Sequence, residues 1–212
     1  MAPTDRFQPR RQPQQQRSTE MRQWVLDAAA QVFAEFGYGA GTTNRIADRA
    51  GVSIGSLYRY FPNKDAILRA LMDRHLEAGA ALYQERLAAG LPPPLDDALR
   101  LIVRATIDNH RDDPRLHRVL FEEAPRAPSL LARLHESEEL AVTLVAAVLE
   151  NHPEVAVADP GLSARVVVVT IESMVHRLMT ASNPVPAQRL EDETVDLLAA
   201  YLRHRGDVRV RR

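Results

Sequence analysis

The chain has 212 residues, 45% of them hydrophobic and 26% charged, with a formal net charge of -1. That length can bury a full core in one domain, or in a small domain joined to a larger one. The absence of cysteine excludes a disulfide framework, a thiolate zinc site and a cysteine nucleophile. The longest uncharged apolar stretch, Val166–Ile171, is far short of the ~20 residues a membrane span needs, and the N-terminal segment has no apolar signal region. A soluble cytoplasmic protein with no membrane partner is expected.

The near-neutral total hides a polarity. Residues 1–74 carry 11 Arg plus Lys against 7 Asp plus Glu, whereas residues 75–212 carry 16 against 21. A basic head on an acidic body suggests that only the head meets a polyanion. Residues 1–17 hold one large apolar side chain, Phe7, amid Pro, Gln and Arg. Such a composition cannot offset ordering entropy, so a disordered basic tail is expected there. Its arginines (Arg6, Arg10, Arg11 and Arg17) suit a flexible arm along a phosphate backbone, but a solvated leader is the plainer reading.

From Ser18 the pattern turns helical. Met21, Val25, Ala28, Ala29, Val32, Phe33 and Phe36 recur at three and four, with Ser18 and Thr19 as capping candidates and Gly37 as the stop. Beyond Pro62, prolines divide the chain into helix-sized blocks near 63–89, 95–111, 114–122, 128–151, 161–181 and 189–204. Only 165–171 is strand-like in its β-branching, and it lies inside a stretch of helical spacing with no hairpin signal. The fold class is all-α, with about nine helices. The domain boundary is expected inside the long block 63–89, giving a head over 18–74 and a body over 75–212.

The informative stretch is 42–68. Ile46, Ala47 and Ala50 form one apolar face on a short helix beginning at Thr43, Gly51 supplies the positive φ of a tight turn, and Val52 fills the corner. Ser53 then caps a second helix, with Leu57 facing inward and Phe61 ending it before Pro62. This is a helix-turn-helix, and the preceding helix closes its small core through Val32, Phe33 and Phe36.

The second helix presents Ile54, Gly55 and Ser56 in its first turn: an apolar contact for a thymine methyl, a close backbone approach and a hydroxyl for a base edge. Tyr58 and Tyr60 offer hydroxyls toward flanking phosphates. Lys64, following the capping candidate Asn63, adds charge at a helix N-terminus where amides already favour an anion. Thr43, Asn44 and Arg45 stand at the N-terminus of the preceding helix. Apolar, turn and polar positions all agree with one geometry, which favours double-stranded DNA as the partner.

Segment 18–74 resembles the TetR family of bacterial transcriptional regulators. The resemblance rests on Phe33, Phe36-Gly37-Tyr38, Thr42-Thr43, Ile46-Ala47, Ala50-Gly51-Val52-Ser53, Gly55-Ser56-Leu57-Tyr58, Tyr60-Phe61 and Asn63–Leu68. It implies a homodimer whose two heads enter successive major grooves of a palindromic operator, and a helical body that binds a small-molecule effector and pairs with its copy. It makes Thr43, Ser53, Gly55, Tyr58, Tyr60 and Lys64 backbone anchors, and Asn44, Arg45, Ile54 and Ser56 base readers. Arg59 departs from the aromatic residue often found at its position.

In the body, Ala164, Val168, Ile171, Val175 and Leu178 form one stripe, and Leu190, Thr194, Leu197, Leu198 and Tyr201 form another. Two-fold pairing into a four-helix bundle accounts for both, although a single chain could bury them in its own core. Tyr83, Arg104, His110, His117, Phe121 and His176, with Asn109 and Glu172, are candidates to line a ligand cavity, and Met72, Met174 and Met179 could supply an adaptable wall. The grouping of His110, Asp112, Asp113 and His117, and the four-residue spacing of Glu172 and His176, invite a metal reading. No two histidines here are four apart, so no metal ligand and no cofactor are expected.

There is no Gly-rich phosphate loop, no GxSxG elbow and no HExxH, and Glu122-Glu123 and Glu138-Glu139 point to different sides of a helix. The chain is not expected to be an enzyme. The expected function is a repressor released from its operator by a ligand in the body. The alternative is a DNA-binding architectural or activator protein that needs no ligand.

Overall fold

A computed structural model describes residues 11–111, 113–181 and 183–204. Nine α-helices run through these residues, with no strand among them: α1 (Arg11–Ala40), α2 (Thr43–Ala50), α3 (Ile54–Tyr60), α4 (Lys64–Leu87), α5 (Leu95–Arg111), α6 (Pro114–Arg118), α7 (Pro128–Asn151), α8 (Pro160–Met179) and α9 (Ala187–Arg203). A π-helical turn, Val119–Glu123, follows α6 directly. None of the helices is long and apolar enough to cross a membrane.

The helices divide into two compact units. One holds the described residues up to Leu71 together with Val119–Ala124; the other comprises Met72–Arg118 and the described residues from Pro125 onward. The division at Leu71–Met72 falls inside α4.

In the first unit, α1 buries Val25, Ala29, Val32 and Phe33, and α2 and α3 add Ile46, Ala47, Ala50 and Leu57. Two expectations are corrected here. Helix α1 begins at Arg11, not Ser18, so residues 11–17 are helical rather than part of a disordered tail, and Thr19 bonds back to the Gln15 carbonyl instead of capping. Arg6, Arg10 and the rest of 1–10 lie outside the described residues. Phe36 is exposed rather than part of the core, its ring lying 4.1 Å beneath the Arg45 guanidinium. Gly37 does interrupt α1, with φ 72°, and the helix resumes for three residues beyond it. Gly41 packs against the buried Phe33 ring, where any Cβ would collide.

The second unit buries Leu95, Leu99, Val103 and Ile107 of α5 against Val142 and Leu149 of α7, Val167, Ile171 and Val175 of α8, and Val195, Leu198 and Leu202 of α9. Charge closes the α5–α9 seam. Glu191, 4% exposed, accepts from Arg100 at 2.9 Å and from Arg104 at 2.7 and 2.9 Å. Burial alone would raise the Glu191 carboxyl, but hydrogen bonds from Arg104 and Arg100 outweigh it and hold the group below its ordinary value.

The two stripes assigned to dimer pairing belong largely to this core. Ala164, Val168, Ile171, Val175, Leu190, Thr194 and Leu198 are buried within the chain itself. A helix apolar on several faces lets periodicity choose the wrong one. On these two helices the large apolar side chains left exposed are Leu162, Val166 and Val169 of α8 and Leu197 and Tyr201 of α9, with Leu162 60% exposed.

Candidate functional site

The helix-turn-helix is built by caps and a close crossing. Thr42 Oγ1 accepts from the Arg45 amide and starts α2, so the cap is Thr42, with Thr43 the first helical residue. Gly51 ends α2 at φ 64°, ψ 31°, the left-handed conformation that glycine adopts without a Cβ penalty. Ser53 Oγ then accepts from the Ser56 amide at 3.1 Å and starts α3, and Asn63 Oδ1 accepts from Ala66 N at 2.8 Å to start α4. Trp24 Nε1 donates to the Ala50 carbonyl at 2.7 Å, tying α1 to the end of α2.

These contacts leave two helix N-termini outward. Asn44 and Arg45 on α2 are exposed, as are Ser53, Ile54, Gly55 and Tyr58 along α3, while Thr43, Ser56, Tyr60 and Lys64 are half-buried. Thr43 Oγ1 and Tyr58 OH lie 3.3 Å apart, linking the two helices. Gly55 has no neighbour closer than 4.0 Å to a Cβ built on it, so no packing among the described residues requires a glycine there. Ser56 Oγ is 2.9 Å from Ser53 Oγ, so the proposed base reader bonds to the cap in the free chain. Arg59 stacks on Tyr60 and donates to its hydroxyl at 3.1 Å.

Lys64 is neither solvated nor simply aimed outward. Its Nζ donates to the Tyr38 carbonyl at 2.9 Å and lies over the Tyr38 ring at 4.1 Å. Tyr38 OH in turn bonds Asp65, and burial, reinforced by that carboxylate, raises the Tyr38 phenol well above its ordinary value.

Residues 94–202 match the description of the tetracyclin repressor-like C-terminal domain, and residues 25–71 match that of bacterial regulatory proteins of the tetR family. The chain belongs to the TetR family. It is 34% identical over 103 residues to the HTH-type transcriptional activator FasR of Mycolicibacterium smegmatis, covering 49% of this chain and 46% of that protein. It is 40% identical over 67 residues to the HTH-type transcriptional repressor KstR2 of Rhodococcus jostii, covering 32% of this chain and 33% of that protein. The chain thus matches about a third to a half of the length of these relatives, all of which are named as regulators rather than enzymes. The fold is shared with the fatty acid degradation regulator FadR from Bacillus halodurans, with a TM-score of 0.72 at 23% identity over 87% of this chain and 97% of that one.

In the TetR-type body, the candidate ligand residues separate into groups. Arg104 is committed to Glu191, and Phe121 lies in the segment that belongs to the N-terminal unit. Tyr83 OH is 2.5 Å from Thr106 Oγ1, and burial raises its phenol. Asp112 lies outside the described residues, and Asp113 caps α6 by accepting from Leu116 N. His110, His117 and His176, by contrast, converge from α5, α6 and α8, with His75 of α4 beside them. The His110 and His117 rings are 3.9 Å apart, those of His117 and His176 4.9 Å, and those of His75 and His117 4.8 Å. Burial lowers His75 and His110 to about 4, so both rings are neutral near pH 7. His75 was missed by the sequence reading, because nothing in its local spacing marks a residue whose neighbours are supplied by other helices.

Proposed function

We propose that this TetR-family chain is a sequence-specific DNA-binding transcription regulator, acting as a repressor that a small molecule releases from its operator. The observation that carries the DNA reading is the outward array on the N-termini of α2 and α3. Asn44, Arg45, Ile54 and Ser56 are the base readers, and Thr43, Ser53, Gly55, Tyr58, Tyr60 and Lys64 are the phosphate anchors. Two capped helix N-termini add partial positive charge on the face where phosphates would lie.

A homodimer is part of this proposal, since one recognition helix reads only half of a palindrome. The pairing surface is the exposed face of Leu162, Val166 and Val169 with Leu197 and Tyr201. An effector bound in the body would act through α4, which carries chain into both units, by favouring a conformer whose two recognition helices no longer match one DNA turn of ~35 Å. The test is titration of fluorescent operator and scrambled duplexes with wild-type, Tyr58→Phe and Ser56→Ala proteins. Tyr58→Phe weakens both duplexes alike and Ser56→Ala weakens the operator preferentially. Unchanged affinity in both variants would rule this docking out.

A further inference from the structure

The histidine cluster of the body is unaccounted for by DNA binding. His110 and His117 are each 3% exposed and His176 is half-buried, so three imidazoles have been withdrawn from water by helices distant in sequence. One candidate ligand nitrogen from each lies within 4.8 Å of the other two. His110 Nδ1 is 2.8 Å from the Thr106 carbonyl oxygen, which can only accept, so Nδ1 carries the proton and Nε2 carries the lone pair. That Nε2 is buried and has no hydrogen-bond partner among the described residues. A backbone carbonyl that fixes one ring nitrogen while the other points into a pocket of donors is the usual outer support of a metal-bound histidine.

Plain ring stacking accounts less well for the details. The His117 and His176 Nδ1 atoms are 2.9 Å apart, a hydrogen bond whose proton a bound metal would displace, and Glu172 Oε2 is 3.9 Å from His110 Nε2, which places a carboxylate at the edge of the cluster. Nitrogen ligands around a tetrahedral ion, at roughly 2.0–2.1 Å from it, stand about 3.3 Å from one another. The candidate nitrogens of the cluster, within 4.8 Å of one another, must draw in around a bound ion. Facing helices of a bundle are a common place for such sites, and an all-imidazole set suits zinc, nickel, copper or iron rather than magnesium or calcium.

We propose that His110, His117 and His176 form a binding site for one divalent transition-metal ion, with Glu172 at its edge to balance the charge. The site stands independently of the DNA-binding reading, and its test reads metal directly. Tag-free protein is stripped with chelator and dialysed against micromolar zinc chloride, with Co2+ as a spectroscopic probe. The expected result is about one Zn2+ per chain with Kd below about 1 μM. Co2+ gives the intense visible absorption of a tetrahedral nitrogen-ligated ion. His176→Gln weakens zinc by at least about tenfold, whereas exposed His135→Gln leaves it unchanged. Bound zinc also raises the melting temperature of the wild-type chain, because the unfolded chain has no assembled site. Zinc well below one equivalent in wild type, a weak octahedral Co2+ spectrum, or wild-type affinity in a folded His176→Gln chain would each overturn the assignment. The wild-type measurements decide the matter even if that variant fails to fold.

Discussion

Lys64 Nζ donates to the carbonyl oxygen of Tyr38 at 2.9 Å, joining the first residue of α4 to the last turn of α1. A cation is disfavoured at a helix N-terminus and favoured at a C-terminus, so Lys64 is stabilised by the helix it contacts rather than the one it belongs to. Gly39 O, at 3.4 Å, accepts a second N–H, and the proposed DNA docking gives the third to a phosphate. Lys64→Met therefore lowers stability by about 1 kcal/mol in urea unfolding. It also reduces the slope of log affinity against log salt by about 1 for any DNA sequence. An unchanged slope would assign Lys64 to the scaffold alone.

Ser53 has a similar double role. Its Oγ caps α3 and also bonds Ser56 Oγ. Ser53→Ala removes the cap and costs about 1 kcal/mol. Ser53→Asp keeps a capping oxygen and restores stability, but it brings a negative charge toward phosphate, so DNA binding falls while the melting temperature recovers. Thermal melts and DNA titrations on the two variants separate these effects.

Gly41→Ala tests the packing beneath the recognition helices. The added methyl meets the Phe33 ring and, at 2.8 Å, the Gly37 carbonyl, and Phe33 is fully buried. Overpacking of this kind costs about 1–3 kcal/mol, so the variant melts lower. Gly39→Ala, with open space around its Cβ, stays close to wild type.

Most of the helices were legible because their signals are local. Ser53 and Asn63 are caps, Gly37 and Gly51 adopt positive φ, and prolines open α6, α7 and α8. What the sequence obscured depends on partners from other segments. Val168 and Leu197 both look suited to a dimer seam, but Val168 is buried against the chain's own core and Leu197 is exposed. Phe36 has the spacing of a core residue, yet it forms a platform for Arg45. Spacing rules for metal ligands search one helix at a time, whereas His110, His117 and His176 come from three. Arg104, a candidate ligand contact, is paired with Glu191 of α9, a partner distant in sequence.

Glu191 gives the fold an acid dependence. Its carboxyl is held below the ordinary glutamate value in the folded chain, so the unfolded chain binds the proton more readily. The stability it contributes is present above the ordinary value and is lost as pH falls through the lower folded one. Glu191→Gln should cost on the order of 2 kcal/mol at pH 7, a figure reduced because Arg100 and Arg104 are partly exposed. That cost shrinks toward zero in acid. A difference between the two chains that is independent of pH would show that the carboxylate charge is not what holds α5 to α9.

On the proposed function, the outward faces of α2 and α3 read DNA. Selection of bound fragments from random duplexes by chelator-stripped, ligand-free protein at physiological salt tests it most directly. The expected result is enrichment of a palindrome with half-sites about one helical turn apart, lost when Ile54 and Ser56 are both replaced by alanine. Recovery of random sequence by the wild-type chain, with no motif above background, would contradict it.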